Sequence, residues 1–171
     1  AVVTAADVPG ERVQGSIKRD WRQLVAEGEV TAYVGDVIAA VAAETRHAAR
    51  AAAALVEVEY EVLEPVTDPF AALADGAPAL HEGGNVLSVS KVQRGDVDAA
   101  LAGAAHVVTE SYRTQVIEHA FLEPESSLAV PDGDGRLQVS SQGQGVWDDR
   151  RQIASFLGLT EDRVRVTHVP T

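Results

Sequence analysis

Apolar and polar positions change period several times along the chain, and each change predicts an element. Residues 37–42 (VIAAVA) form a continuous apolar run, short enough for a strand buried on both faces. Thr45 stands where an N-cap belongs, ahead of an alanine-rich helix over 46–54 whose small side chains let it lie close on a sheet. Strict alternation follows: Val56, Val58 and Tyr60 on one side, Glu57, Glu59 and Glu61 on the other. That pattern predicts a half-buried strand with a carboxylate face in water. Strand, helix and strand between Gly35 and Pro65 make one compact unit, and the rest of the chain is organised around it.

Outside this unit the signals are shorter. Val2-Val3 opens an extended segment, Asp7-Val8-Pro9-Gly10 is a turn, and 11–29 is polar, weakly periodic and mostly loop. A strand is predicted over 30–34. Asp68 and Pro69 start a short helix to Leu73, as N-cap and first helical residue. Gly, Pro and polar residues gather over 75–84 and mark a boundary between two substructures. Beyond it come a strand over 85–92, a helix over 97–101 capped by Asp96, and an extended segment over 106–114. Residues 115–124 break this regularity. Strands over 126–130 and 136–142 are joined by the turn Pro131–Gly135, a helix over 146–157 stops at Gly158, and 163–169 is a last strand. The mixture predicts an α+β fold.

Composition narrows the function. Of 171 residues, 46% are hydrophobic but only 5% aromatic, so the core must be built from small aliphatic side chains. A formal net charge of −12 argues against nucleic acid and anionic membrane surfaces, both of which reward clustered Lys and Arg. No apolar run approaches the roughly 18 residues of a membrane span, and the first ten residues do not resemble a signal peptide. A soluble, cytoplasmic protein is expected. There is no cysteine, which excludes disulfides and iron–sulfur clusters held by this chain alone. A cofactor that brings its own sulfur ligands stays open.

Three stretches could carry chemistry. In Glu118–Pro124, His119 lies between Glu118 and Glu123 and could form a metal or acid–base pair, or simply be a histidine satisfied inside a tight connection. His47, His81, His106 and His168 show no zinc-hydrolase spacing. Ser126 or Ser127 with His119 and Glu123 could make a hydrolase, but no G-x-S-x-G elbow surrounds either serine. The third stretch, Ser140–Gly145 (SSQGQG), falls between a strand end and a helix start, where backbone N–H groups can face an anion or oxo group. Gly143 and Gly145 would admit a ligand close to the backbone, although Asp148 stands where a dinucleotide fingerprint needs its third glycine.

Taken together, these stretches resemble the molybdopterin-binding large subunit of the xanthine dehydrogenase/aldehyde oxidase family. TAADVPG, the block from Gly35 to Val66 and the later RGDVDAALAGAAHVV are similar to that family's α/β hammerhead domain and the connection leaving it. EHAFLEPESSLAV resembles its His/Glu-Pro signature, with Leu122 where many members carry methionine. VSSQGQGVWDDRRQIASFLGLTEDRVRV resembles the start of its first cofactor-binding domain. The implied division is a hammerhead domain over 1–80, then a linker and the beginning of a molybdopterin-binding domain over 81–171.

The resemblance implies a molybdenum hydroxylase that oxidises a purine, another N-heterocycle or an aldehyde with water as oxygen source. It places Gln142 beside an oxygen ligand of the molybdenum, with Gly143 next to it as a second cofactor contact. His119 and Glu123 match the family signature and are expected to hold the strand connection. No residue of this chain is expected to be catalytic or a metal ligand, because the family's general-base glutamate would lie beyond Thr171. Residues 1–171 alone are therefore expected to be inactive and free of molybdenum. Iron–sulfur clusters and FAD are expected on partner domains or subunits of an oligomeric enzyme. The alternative is a non-catalytic hammerhead-type domain for subunit contact or ligand binding.

Overall fold

The computed structural model describes residues 1–122 and 125–169. In chain order the elements are β1 (Val2–Thr4), β2 (Val13–Gln14), β3 (Trp21–Arg22), β4 (Ala39–Val41), α1 (Arg46–Ala53), α2 (Pro69–Ala72), α3 (Val97–Ala102), β5 (Ser127–Pro131), β6 (Leu137–Ser141), α4 (Val146–Phe156) and β7 (Val164–His168). They gather into two compact units, Ala1–Glu59 with Phe121–Thr171, and Tyr60–Ala120.

In the first unit, β5, β6 and β7 form a sheet in that order, β5–β6 antiparallel and β6–β7 parallel. A parallel pair needs a crossover, and α4 supplies it, making a β6–α4–β7 unit. Val139 and Ser141 face inward from β6 and Val164 from β7, while Ala154 of α4 is 1% exposed. Asp132 tightens the β5–β6 turn by accepting the N–H groups of Asp134 (3.0 Å) and Arg136 (2.9 Å), which hold its carboxyl below the usual value. Helix α4 ends as expected at Gly158, whose φ of +63° suits glycine, and Leu159 N–H closes the end on Ala154 O at 2.9 Å.

The opening residues belong to the same unit. β1 pairs antiparallel with β4 in the register Val3↔Ala40. The N–H groups of Gly10 and Glu11 then donate to Phe156 O (3.1 Å) and Ser155 O (2.9 Å), carbonyls at the end of α4. The stretch 11–29 is mostly loop, as expected, but also holds the short β2–β3 hairpin and buries Leu24 and Val25. Arg12 organises it by donating to Leu24 O (2.7 Å) and pairing with both carboxylate oxygens of Glu29 (3.1 and 2.8 Å). Glu29 also accepts Ala26 N–H at 2.8 Å. Arg12, this N–H and Arg22 pull its carboxyl down to about 2.

All three capped helices are present. Thr45 Oγ1 accepts Ala48 N–H, Asp68 accepts Phe70 and Ala71 N–H, and Asp96 accepts Ala99 N–H. Several strands expected from alternation are not. Residues 56–61 and 85–92 enter no sheet, nor does the extended segment 106–114, and Val56, Tyr60, Val89, Val108 and Tyr112 are exposed. Alternation names the face a strand would bury, but a strand also needs a neighbour to take its N–H and C=O groups. Two segments have other uses. Asp36 accepts Ala32 N–H (2.6 Å), turning 30–34 back as a loop, and Asn85 bonds Leu80 N–H, Ala72 O and Pro78 O to close the loop behind α2. The 37–42 run contributes only β4, which has β1 as its single neighbour and Ala40 exposed, so it is not buried on both faces.

Candidate functional site

Strands β6 and β7 run parallel, so both end on one edge of their sheet. Residues 142–145 form the turn at that edge, between the end of β6 and the start of α4. The crevice beyond the carboxyl ends of parallel strands is where open α/β sheets bind ligands.

Gln142 is held at this edge from both of its ends. Its backbone N–H donates to Ser126 O (3.3 Å), while its side-chain Oε1 accepts Ser126 N–H (2.7 Å) and Ser126 Oγ–H (3.2 Å). A backbone N–H cannot donate to an amide NH2, so the atom facing Ser126 is the carbonyl oxygen. The NH2 end is thereby turned away, with two N–H donors that meet no acceptor among the described residues. The half-buried Gln142 thus presents a neutral, oriented donor beside the exposed Gly143.

The start of α4 is acidic. Gly145 precedes it without a side-chain cap, and Asp148 and Asp149 occupy its first turn. Asp148 pairs with Arg151 at 2.6 Å. Asp149 Oδ2 accepts the Ser141 hydroxyl at 3.2 Å and lies 3.7 Å from His168 Nε2. Carboxylates at the positive end of a helix stabilise it and oppose a free anion there. The turn therefore offers the Gln142 amide to an acceptor atom, and is poorly suited to a bare phosphate.

The other sequence candidates do not join this site. His119 is exposed in irregular chain beside Ala120, whose φ is +49°, and its ring has no hydrogen bond among the described residues. Glu123 lies outside the described residues. The Ser126 hydroxyl is engaged with Gln142, and Ser127 sits in β5 opposite Ser141. Among the described residues no group of three or more His, Asp or Glu is placed to hold a metal ion. Sequence reasoning did not find Ser126 as the anchor of Gln142, nor Asp149 and His168 beside Ser141. Those partners are far apart in the chain and meet only through the sheet.

Comparison with known proteins gives the family of both parts of the chain. Residues 80–171 match the family described as "Molybdopterin cofactor-binding domain", and residues 1–64 match "Aldehyde oxidase and xanthine dehydrogenase, a/b hammerhead domain". The chain is 38% identical over 99% of its length to a probable xanthine dehydrogenase subunit of Bacillus subtilis, covering 23% of that protein. It is 34% identical over its whole length to the nicotinate dehydrogenase large molybdopterin subunit of Eubacterium barkeri, covering 40% of that one. Xanthine dehydrogenase/oxidase of Gallus gallus is 30% identical over 96% of the chain, which covers 11% of its length. The chain thus spans less than half of each of these relatives.

Proposed function

The chain belongs to the aldehyde oxidase and xanthine dehydrogenase family, in its molybdopterin-binding part, and we propose that its 142–145 turn forms one wall of a molybdopterin site in a hydroxylase. The observation that carries this is the Gln142 amide, whose oxygen is occupied by Ser126 and whose NH2 is left to donate outward. Such a donor fits a cofactor whose metal carries oxygen ligands and whose sulfurs come from the pterin, so a chain without cysteine suffices. When bound, the molybdenum cofactor would supply a two-electron oxidation of an electron-poor carbon with water as oxygen source. This chain's part is to orient. Ser126 fixes the amide, Gly143 keeps the approach open, and the β6–α4–β7 edge holds both rigid.

The substrate class proposed for the whole protein is a purine, another N-heterocycle or an aldehyde. Relatives bear the names of subunits, which supports partner subunits for the parent protein. Iron–sulfur and flavin partners are the finer reading, and a cytoplasmic location goes with them. The proposed division is a hammerhead part over 1–80 and a linker with the start of the cofactor-binding part over 81–171, supported by matches over 1–64 and 80–171.

The test uses the parent polypeptide with its partners. Purified protein should contain stoichiometric molybdenum and release a fluorescent pterin on oxidation. Gln142→Glu keeps an oxygen for Ser126 N–H but turns the outward donor into an acceptor. It should lower kcat by about 10- to 100-fold, the scale of losing one hydrogen bond to a charged centre and leaving its partner unpaired. Full activity in a protein free of molybdopterin would refute the assignment.

A further inference from the structure

Ser141 ends β6 and His168 ends β7, and the parallel register sets them side by side. Asp149 reaches them from the first turn of α4, with Oδ2 at 3.2 Å from Ser141 Oγ and 3.7 Å from His168 Nε2. His168 Nε2 is shut off from water and has no hydrogen-bond partner among the described residues, which leaves it poised a fraction of an ångström from a bond to Asp149. All three groups converge on Gly143. A Cβ there would sit 3.4 Å from Asp149 Oδ2, 3.8 Å from Ser141 Oγ and 4.0 Å from His168 Nε2. Gln142 is thus held by Ser126 on one side, while the Ser141 hydroxyl of this cluster lies 3.5 Å from Gln142 O and the cluster lines the space over Gly143.

We propose that Ser141, Asp149 and His168 are positioning residues, which converge beside Gly143 to fix the turn that aims the Gln142 amide at the cofactor. This deepens the cofactor-site reading and rests on it. Asp149 is the hub, because its Oδ2 accepts the Ser141 hydroxyl and lies 3.7 Å from His168 Nε2. A Cβ at Gly143 would meet the cluster only at ordinary van der Waals distance, so the three groups line the turn without closing it. The cluster therefore acts through the direction of the Gln142 donor and touches no substrate.

The experiment uses the intact, cofactor-loaded parent enzyme with Asp149→Asn, which keeps the shape, made both in the native sequence and alongside Gln142→Ala. Steady-state kinetics and the Mo(V) electron paramagnetic resonance signal are both read. With Gln142 present, Asp149→Asn should lower kcat by about 10-fold, near the lower end for groups that orient the surroundings of a metal, with KM unchanged and the Mo(V) signal shifted. With Gln142→Ala in place, the same substitution should add less than about twofold and shift no signal, because residues acting through one group are not additive. Equal fold-effects in both backgrounds, or an unchanged kcat and signal with Gln142 present, would overturn the proposal. Should Asp149→Asn fail to fold, His168→Gln takes its place with the same expectations. Failure of the underlying reading looks different: no molybdenum in the parent protein, or Gln142→Ala matching the native enzyme in both readouts, and the positioning proposal then falls with it.

Discussion

Gly10 is a position where a single methyl group should do marked damage. Its N–H and that of Glu11 donate to Phe156 O and Ser155 O at 3.1 and 2.9 Å, docking the N-terminal segment on the end of α4. A Cβ on Gly10 would lie 2.0 Å from Ser155 O, 2.6 Å from Gly158 N and 2.8 Å from Phe156 O, all backbone atoms that cannot rotate aside. Gly10→Ala must push the segment away by about 1 Å, enough to break both bonds and leave four polar groups short of partners. At about 1–2 kcal/mol for each lost bond, the cost is about 2–4 kcal/mol. For a chain of this size that lowers Tm by roughly 5–15 °C. Gly28→Ala is the control: φ there is +78° with nothing within 4 Å, so it carries backbone strain of about 1 kcal/mol and no clash. Urea unfolding followed by the fluorescence of Trp21 and Trp147, both in this unit, measures the two variants side by side. If Gly10→Ala were no more destabilising than Gly28→Ala, the docking of 10–11 on α4 would be wrong.

Further substitutions probe the supports around this frame. Glu29 has its carboxyl lowered from 4.5 to about 2, so the stability it confers is complete above about pH 4.5 and is lost as pH falls towards 2. The Arg12–Glu29 pair is 25% and 30% exposed, and screening leaves the contribution at about 1 kcal/mol. Glu29→Gln should therefore lower stability at pH 7 by that amount and flatten its decline between pH 5 and 3 in acid titrations of urea midpoints; an unchanged slope would remove the pair from the account. Asn85→Ala removes three hydrogen bonds that close the loop behind α2, and should speed hydrogen exchange at Leu80 N–H by at least about 10-fold, the equivalent of one lost bond. Thr45→Ala should cost α1 about 1 kcal/mol of helix stability, visible as faster exchange at Ala48 N–H.

The sequence was legible where the determining interaction is local. Thr45, Asp68 and Asp96 each cap a helix through a backbone N–H two or three residues away, so a window of four residues contains the whole cause. Gly158 and the Asp132 turn are equally short-range. Periodicity over 127–168 succeeded because β5, β6 and β7 are close neighbours and complete one another. It failed over 56–61 and 85–92 for the complementary reason: alternation specifies a face and says nothing of the strand that would pair with it. The β2–β3 hairpin was hidden differently, since each strand is two residues long and its stability comes from Arg12 reaching across to Leu24 and Glu29.

The candidate site divides along the same line, and that division says what the fold contributes to it. The 140–145 turn and its glycines could be read from the chain because a strand-to-helix junction has chemical meaning in itself, while Gln142 was singled out by the family resemblance. What gives Gln142 a defined direction could not. An amide rotates freely, and its two ends are opposite in function, one accepting and one donating. Ser126 resolves that ambiguity from 16 residues away, at the start of the strand paired with β6, by presenting an N–H that only the oxygen can accept. The sheet register thus converts an ambiguous side chain into a donor of known direction. A shift of β5 by one residue would remove that N–H, free the amide to flip, and abolish the donor while leaving Gln142 in place.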